Sequence, residues 1–339
     1  MRLTWLTATL FMVACVAGGD GSGSKKDKGD ITADISSDGS GATDLTSQDV
    51  TPQDGAIDSG PEDVPKIEGP QPDPVKSYSG GSCPTFKAGS NTFEAGGMQR
   101  TVNLHIPKDP EGASVTFLWH GFGDSPGNFA AALGAQQMSD EAHMIVVTPT
   151  PVTAVPGMGI NTWSYLDFAE TETDLILFDD VLSCLDENFD INEHTVYTMG
   201  VSAGALFSTK LLLERSTHIT AAALYSGGTQ AAGPGVLAIP YQTPGHVMPV
   251  LVVHGGLTDQ WGAGPVLVKF NEGSEDLADK LTADGHPVIL CDHGMGHTVP
   301  PGGIDWGWHF LRTSYWGEGE SQWIGHSGPP FPDYCTFPQ

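Results

Sequence analysis

The sequence predicts an α/β fold, a mostly parallel central sheet with helices on both faces, and three observations carry that expectation. Apolar strand-like runs alternate with helical stretches, the pattern of strands joined by crossover helices. Several of those runs end in turns rich in Gly and His, and in parallel sheets chemistry gathers at the carboxyl ends of the strands. One such turn, Gly200-Val201-Ser202-Ala203-Gly204, lies between the β-branched run Thr195 to Met199 and the helix-forming run Ala205 to Leu213.

The elements before the sheet come first. Met1-Arg2 and the apolar Leu3 to Cys15 read as an export signal over residues 1–17, too short to span a bilayer permanently. Met12-Val13-Ala14-Cys15 has the shape of a bacterial lipobox, which would make Cys15 a lipidated N-terminus and membrane anchor; plain cleavage near Ala17 is the alternative. Residues 18–79 are Gly, Ser, Asp, Thr and Pro with few bulky apolar side chains. Such a stretch cannot bury enough surface to offset its ordering entropy, so it reads as a disordered acidic tether. Its aspartates do not form the Asp-x-Asp-x-Asp-Gly loop of a calcium site.

Residues 80–339 then form one catalytic domain of the expected size. Its predicted strands are Thr101 to Ile106, Val115 to Trp119, Met144 to Thr148, Thr195 to Met199, Ala221 to Tyr225, Pro249 to Val253 and Val288 to Leu290. Helices are predicted over Asn128 to His143, Glu170 to Phe189, Ala203 to Arg215, Ser274 to Asp284 and Gly303 to Trp316. A formal net charge of −27 excludes a nucleic-acid partner and fits an exported protein, secreted or held on the outer surface of a bacterium as a lipoprotein. A monomer is expected. Beyond Cys15 the cysteines are Cys83, Cys184, Cys291 and Cys335, an even set that export allows to pair. A staple across the domain ends gives Cys83 to Cys335 and Cys184 to Cys291, with free buried thiols as the rival.

The Gly200 to Gly204 turn has the form of a nucleophile elbow, in which a strained serine is pushed clear of the sheet. The pentapeptide alone is weak, arising on the order of 0.4 times by chance in a chain this rich in Gly and Ser. The strand before and the helix after it give it weight. A serine hydroxyl needs an imidazole base, and the imidazole needs a carboxylate to set its tautomer. Asp259 and His297 follow Ser202 in that order, each in a loop after its own strand. His293 is the competing base, and Asp292 and Asp305 the competing acids; His254 and His120 are expected to support loop geometry beneath the site. Oxyanion donors are expected at the backbone N–H groups of Ala203 and Phe122, with Gly121 as the alternative to Phe122.

Leu118-Trp119-His120-Gly121, Asp179-Asp180-Val181, Val196 to Gly204, His254-Gly255-Gly256-Leu257-Thr258-Asp259 and Gly294-Met295-Gly296-His297-Thr298-Val299-Pro300 together resemble the polyhydroxybutyrate depolymerase and feruloyl esterase branch of the α/β-hydrolases. The resemblance implies the α/β-hydrolase fold, a secreted serine esterase without a cofactor or metal, and a Ser202, Asp259, His297 triad. It also implies that the loop bearing Trp163 and Tyr165 lines the binding cleft, and Trp261, two residues after Asp259, offers a further ring. The chain departs from the family pattern at Met295 and Val299. The expected reaction is hydrolysis of a carboxylic ester, a polyhydroxyalkanoate-type polyester or a feruloyl or acetyl ester. A serine peptidase on the same fold and a non-catalytic surface-binding module are the alternatives.

Overall fold

The structure, a computed structural model, describes residues 70–155, 159–166, 172–232, 237–263, 267–317 and 331–337. The expected export segment with Cys15, and residues 18–69 of the expected tether, lie outside the described residues.

The described chain builds a nine-stranded sheet. Its strands are β1 (Gly89–Ala95), β2 (Met98–His105), β3 (Ser114–Trp119), β4 (Met144–Pro149), β5 (Val196–Val201), β6 (Ala221–Tyr225), β7 (Val250–His254), β8 (Val288–Asp292) and β9 (Cys335–Thr336). They lie in the order β1-β2-β4-β3-β5-β6-β7-β8-β9. Every pairing from β4 to β8 is parallel, and antiparallel strands close both edges. Among the described residues the helices are α1 (Pro126–Ala132), α2 (Ala135–Ala142), α3 (Thr173–Phe189), α4 (Ala203–Glu214), α5 (Phe270–Ala283) and α6 (Gly303–Arg312).

Central strands such as β3, β4 and β6 are buried almost throughout because helices cover both faces. Alternate side chains feed two cores. Phe117 and Trp119 pack with Phe178 of α3, Phe207 of α4 and Leu277 of α5, whereas Leu118, Met199 and Tyr225 pack with Phe129 of α1 and with Trp306 and Phe310 of α6. Each large apolar side chain so buried contributes about 1.5–3 kcal/mol.

The differences from expectation have local causes. β1 was not expected, since Gly89-Ser90-Asn91-Thr92-Phe93-Glu94-Ala95 is half polar; it is an edge strand whose buried residues alternate with exposed ones. Gly96 and Gly97, both at positive φ, turn it into β2. The single helix expected over Asn128 to His143 is two, broken at Gly134 with φ +66°. α5 begins earlier, at Phe270, and α6 ends earlier, at Arg312.

The disulfide pairing is corrected. Cys83 bonds Cys184, and Cys291 bonds Cys335. β9 adds beside β8 at one edge of the sheet, where Cys335 lies opposite Cys291, while Cys83 enters beside α3 ahead of β1, which forms the other edge. The two ends of the domain therefore do not meet.

Residues 70–79, expected as the last part of the tether, run along the domain. The Lys76 ammonium donates to Asp179 at 2.6 Å, Ser79 donates its N–H and hydroxyl to Asp180, and Trp316 Nε1 donates to the Pro70 carbonyl. Asp179 also accepts from Arg215 Nε at 2.9 Å. The Asp179-Asp180 pair thus serves as the clamp for this segment.

Candidate active site

β5 delivers Ser202 into a tight turn that the flanking Gly200 and Gly204 make possible. Ser202 has φ +56° and ψ −120°, a strained conformation for a residue with a side chain. A Cβ on Gly200 would stand 2.4 Å from the Gly204 carbonyl, and one on Gly204 would stand 1.8 Å from the Trp119 carbonyl oxygen. Strand, turn and helix approach so closely here that neither position accepts a side chain. α4 starts immediately behind, so the Ala203 N–H, at its first position, has no acceptor within the helix.

His297 reaches this serine from the loop after β8, with Nε2 2.9 Å from Ser202 Oγ. On its other side Nδ1 lies 2.6 Å from Asp259 Oδ1. A carboxylate can only accept, so Nδ1 carries the proton and Nε2 is left to accept from the serine hydroxyl. Asp259 is fully buried, and a buried carboxylate needs donors. Its Oδ2 has two, the Ser226 hydroxyl at 2.8 Å and the Gly255 N–H at 2.9 Å. The imidazole plane is held by Phe270, whose ring is stacked on it.

The rivals fall elsewhere. His293 is buried and takes the Met295 N–H on Nδ1 at 3.2 Å. Asp292 accepts from the Gly294 N–H, and Asp305 is exposed on the first turn of α6. His254 accepts the Gly256 N–H, and His120 donates from Nδ1 to the Gly121 carbonyl at 2.8 Å, so both shape loops as expected. Burial pushes the His120 imidazole below its ordinary pKa and keeps it neutral.

Gly121 lies against the serine, for a Cβ built on it would be 3.6 Å from Ser202 Cβ. Phe122 follows at the rim, its ring edge-on to Trp261 with centroids 5.1 Å apart. Trp261 is 39% exposed, on a short two-stranded ribbon that pairs Gln260–Trp261 with Val268–Lys269. Leu257 and Met295, on the loops after β7 and β8, are also exposed.

Trp163 is a correction. It is buried in the core, edge-on to Trp119, and donates from Nε1 to the His120 carbonyl at 2.8 Å. Its indole needs an acceptor when buried, and the end of β3 supplies one, so it supports the His120-Gly121 loop from below. Tyr165 is half-buried and packs against the same core, where burial raises its phenol pKa.

Sequence reading missed Ser226 and Phe270. Ser226 directly follows β6, at a carboxyl end where site residues were already expected. Phe270 left no comparable signal, because its role follows from α5 starting four residues before the helical pattern does.

Among the described residues no helix is long and apolar enough to cross a membrane, and no group of His, Cys, Asp and Glu side chains could hold a metal.

No family model matches the chain, and no curated protein matches it. Solved structures do. Native sOPH aligns with a TM-score of 0.60 at 17% identity over 76% of this chain and 96% of that one. Native pOPH aligns at 0.59 with 18% identity, over 76% and 96%. A CE1 ferulic acid esterase from Anaeromyces mucronatus, in complex with ferulic acid, gives 0.48 with 16% identity, over 72% and 94%. A mostly parallel sheet wrapped by helices is the architecture shared with sOPH and pOPH: the chain has the α/β-hydrolase fold.

Proposed function

We propose that this protein is an exported serine hydrolase of carboxylic esters that works through an acyl-enzyme. The observation that carries the reading is the unbroken chain of hydrogen bonds from Ser202 Oγ through His297 to the buried Asp259. In this reaction Ser202 Oγ attacks the ester carbonyl carbon as its proton passes to His297 Nε2. The Ala203 and Phe122 N–H groups receive the negative oxygen. Collapse breaks the bond to the leaving alkoxide, which takes the proton from His297. Water, deprotonated by the same imidazole, then attacks the acyl carbon and frees the acid and Ser202.

The apolar rim of Phe122, Leu257, Trp261 and Met295 suits an ester with a substantial apolar part, a polyester chain or a feruloyl group. Trp261 is the ring we assign to substrate contact, and Trp163 is not. Two disulfides favour an oxidising compartment, in keeping with export and with a lipid anchor at Cys15.

The test is labelling of the full chain by a fluorophosphonate, together with hydrolysis of methyl ferulate, a short-chain p-nitrophenyl ester and a polyhydroxybutyrate suspension. Ser202→Ala should abolish labelling and lower turnover by several orders of magnitude while the fold persists. Clearing of the polymer assigns a depolymerase, and ferulate release without clearing assigns a feruloyl esterase. Cleavage of a peptide amide with no ester turnover would make it a peptidase, and a folded parent chain that neither labels nor turns over would leave a binding module.

A further inference from the structure

We infer that Ser226 is a positioning residue for the proposed reaction: its hydroxyl holds the buried Asp259 carboxylate in the orientation that His297 requires. The inference rests on the reading of Ser202, His297 and Asp259 given above.

Ser226 sits where the carboxyl ends of three strands meet. The carbonyl of Tyr225, one atom before it in the chain, accepts the Ser202 N–H at 2.8 Å. Its own N–H donates to Val253 on β7 at 2.7 Å. Its side chain then reaches Asp259 Oδ2 at 2.8 Å. One residue therefore ties the strand that carries the nucleophile to the loop that carries the acid. The Gly255 N–H is the other donor to Oδ2. With His297 on Oδ1 and these two on Oδ2, the carboxylate is fixed in plane as well as in position.

The backbone at Ser226 shows that the side chain has a purpose. Its φ is +55°, a left-handed conformation that glycine adopts freely and a serine does not. The next two residues are Gly227 and Gly228. A glycine at 226 would remove the strain, but it would also remove the hydroxyl bonded to Asp259. Ser226 is 3% exposed, so its hydroxyl faces the carboxylate rather than water.

Loss of this donor concentrates negative charge on Asp259. The carboxylate then holds the imidazolium proton of His297 more tightly, and the base stays protonated to higher pH. The other titratable groups on the adjoining elements are His254, Asp292 and His293, with Glu275 of α5 facing His254 at 3.9 Å. None is altered by a change at 226.

The experiment compares Ser226→Gly and Ser226→Ala with the parent chain, using a short-chain p-nitrophenyl ester across pH, alongside thermal melts. Ser226→Gly relieves the backbone and decides the matter should the alanine variant not fold. It should keep the parental melting temperature and KM, lower kcat about tenfold, and move the acid limb of kcat/KM to higher pH. In an Asp259→Asn background the same change should have no further effect on kcat. Parental kcat in Ser226→Gly, an unmoved acid limb, or a full tenfold loss in the Asp259→Asn background would each overturn the inference. A parent chain that folds but neither labels with a fluorophosphonate nor turns over ester overturns the reading of the site as well, and so is distinguishable from failure at Ser226 alone.

Discussion

The ring of Phe270 lies flat on the imidazole of His297, with centroids 4.6 Å apart and planes within 14° of parallel. The same residue donates its backbone N–H to the Asp259 carbonyl at 3.0 Å. Phe270 therefore restrains both partners of the His297–Asp259 hydrogen bond, and in the proposed reaction its face would also favour the imidazolium. Phe270→Leu keeps the apolar volume and loses the flat face. It should lower kcat severalfold, by roughly 1 kcal/mol of transition-state stabilisation, with little change in KM. Steady-state kinetics on a small ester checks this, and a KM effect with unchanged kcat would place Phe270 in substrate binding instead.

Gly204→Ala should be far more damaging than most alanine substitutions in a helix. A Cβ there would penetrate the Trp119 carbonyl, a backbone atom that no side-chain rotation can move. β3 and α4 would have to separate, opening the core that Trp119 and Phe207 share. A loss of several kcal/mol is expected, about the size of a large core cavity, read as a lower urea midpoint. Gly121→Ala meets only ordinary contact at 3.6 Å and should fold normally, which makes it the control.

The parts of this architecture set by local chemistry were legible in the sequence. The run Val115 to Trp119 had to be a buried strand, and the glycines at 200 and 204 mark a turn whatever surrounds it. The order Ser202, Asp259, His297, each after its own strand, pointed to three side chains that the structure joins by hydrogen bonds. What depends on how distant segments meet was not legible. Nothing local says that Trp163 turns inward to bond the His120 carbonyl, and the pairing of four cysteines depends on which sheet edge receives β9. Ser226 falls between these cases, since its position after a strand was visible and its partner was not.

Arg100 and Asp174 form an ion pair with no exposure on either side chain. Arg100 also donates to the carbonyls of Thr173 and Thr150, and Asp174 accepts the Ser164 N–H at 2.7 Å. The pair thus joins β2, the start of α3 and the loop that carries Trp163 and Tyr165. Removing one partner strands a buried charge, so Arg100→Met or Asp174→Asn should cost about 3–5 kcal/mol by urea denaturation. The double variant Arg100→Met with Asp174→Leu should recover much of that loss, because no uncompensated charge remains. Additive losses in the double variant would show that the hydrogen bonds to the loop, rather than the charge pair, hold this corner.

Among the described residues five buried histidines, His120, His218, His246, His286 and His293, have a pKa pushed below the ordinary imidazole value by burial. His286 shows how the fold uses the neutral form: its Nδ1 accepts the Met248 N–H at 3.2 Å, a bond that a proton on that nitrogen would abolish. In the unfolded chain the same residues take up protons near pH 6.5. Below that pH the unfolded state therefore binds more protons than the folded one, and stability falls as pH falls. Each histidine adds a slope of at most about 1.4 kcal/mol per pH unit between its unfolded and its depressed folded pKa, with no contribution above the unfolded value. Urea midpoints should be flat from pH 8 to about 7 and drop from about 6.5 downward. His286→Gln keeps an acceptor for the Met248 N–H while removing the titrating group, so it should make that drop shallower by about one proton's worth. An unchanged slope in this variant would show that the acid sensitivity comes from carboxylates and not from the buried imidazoles.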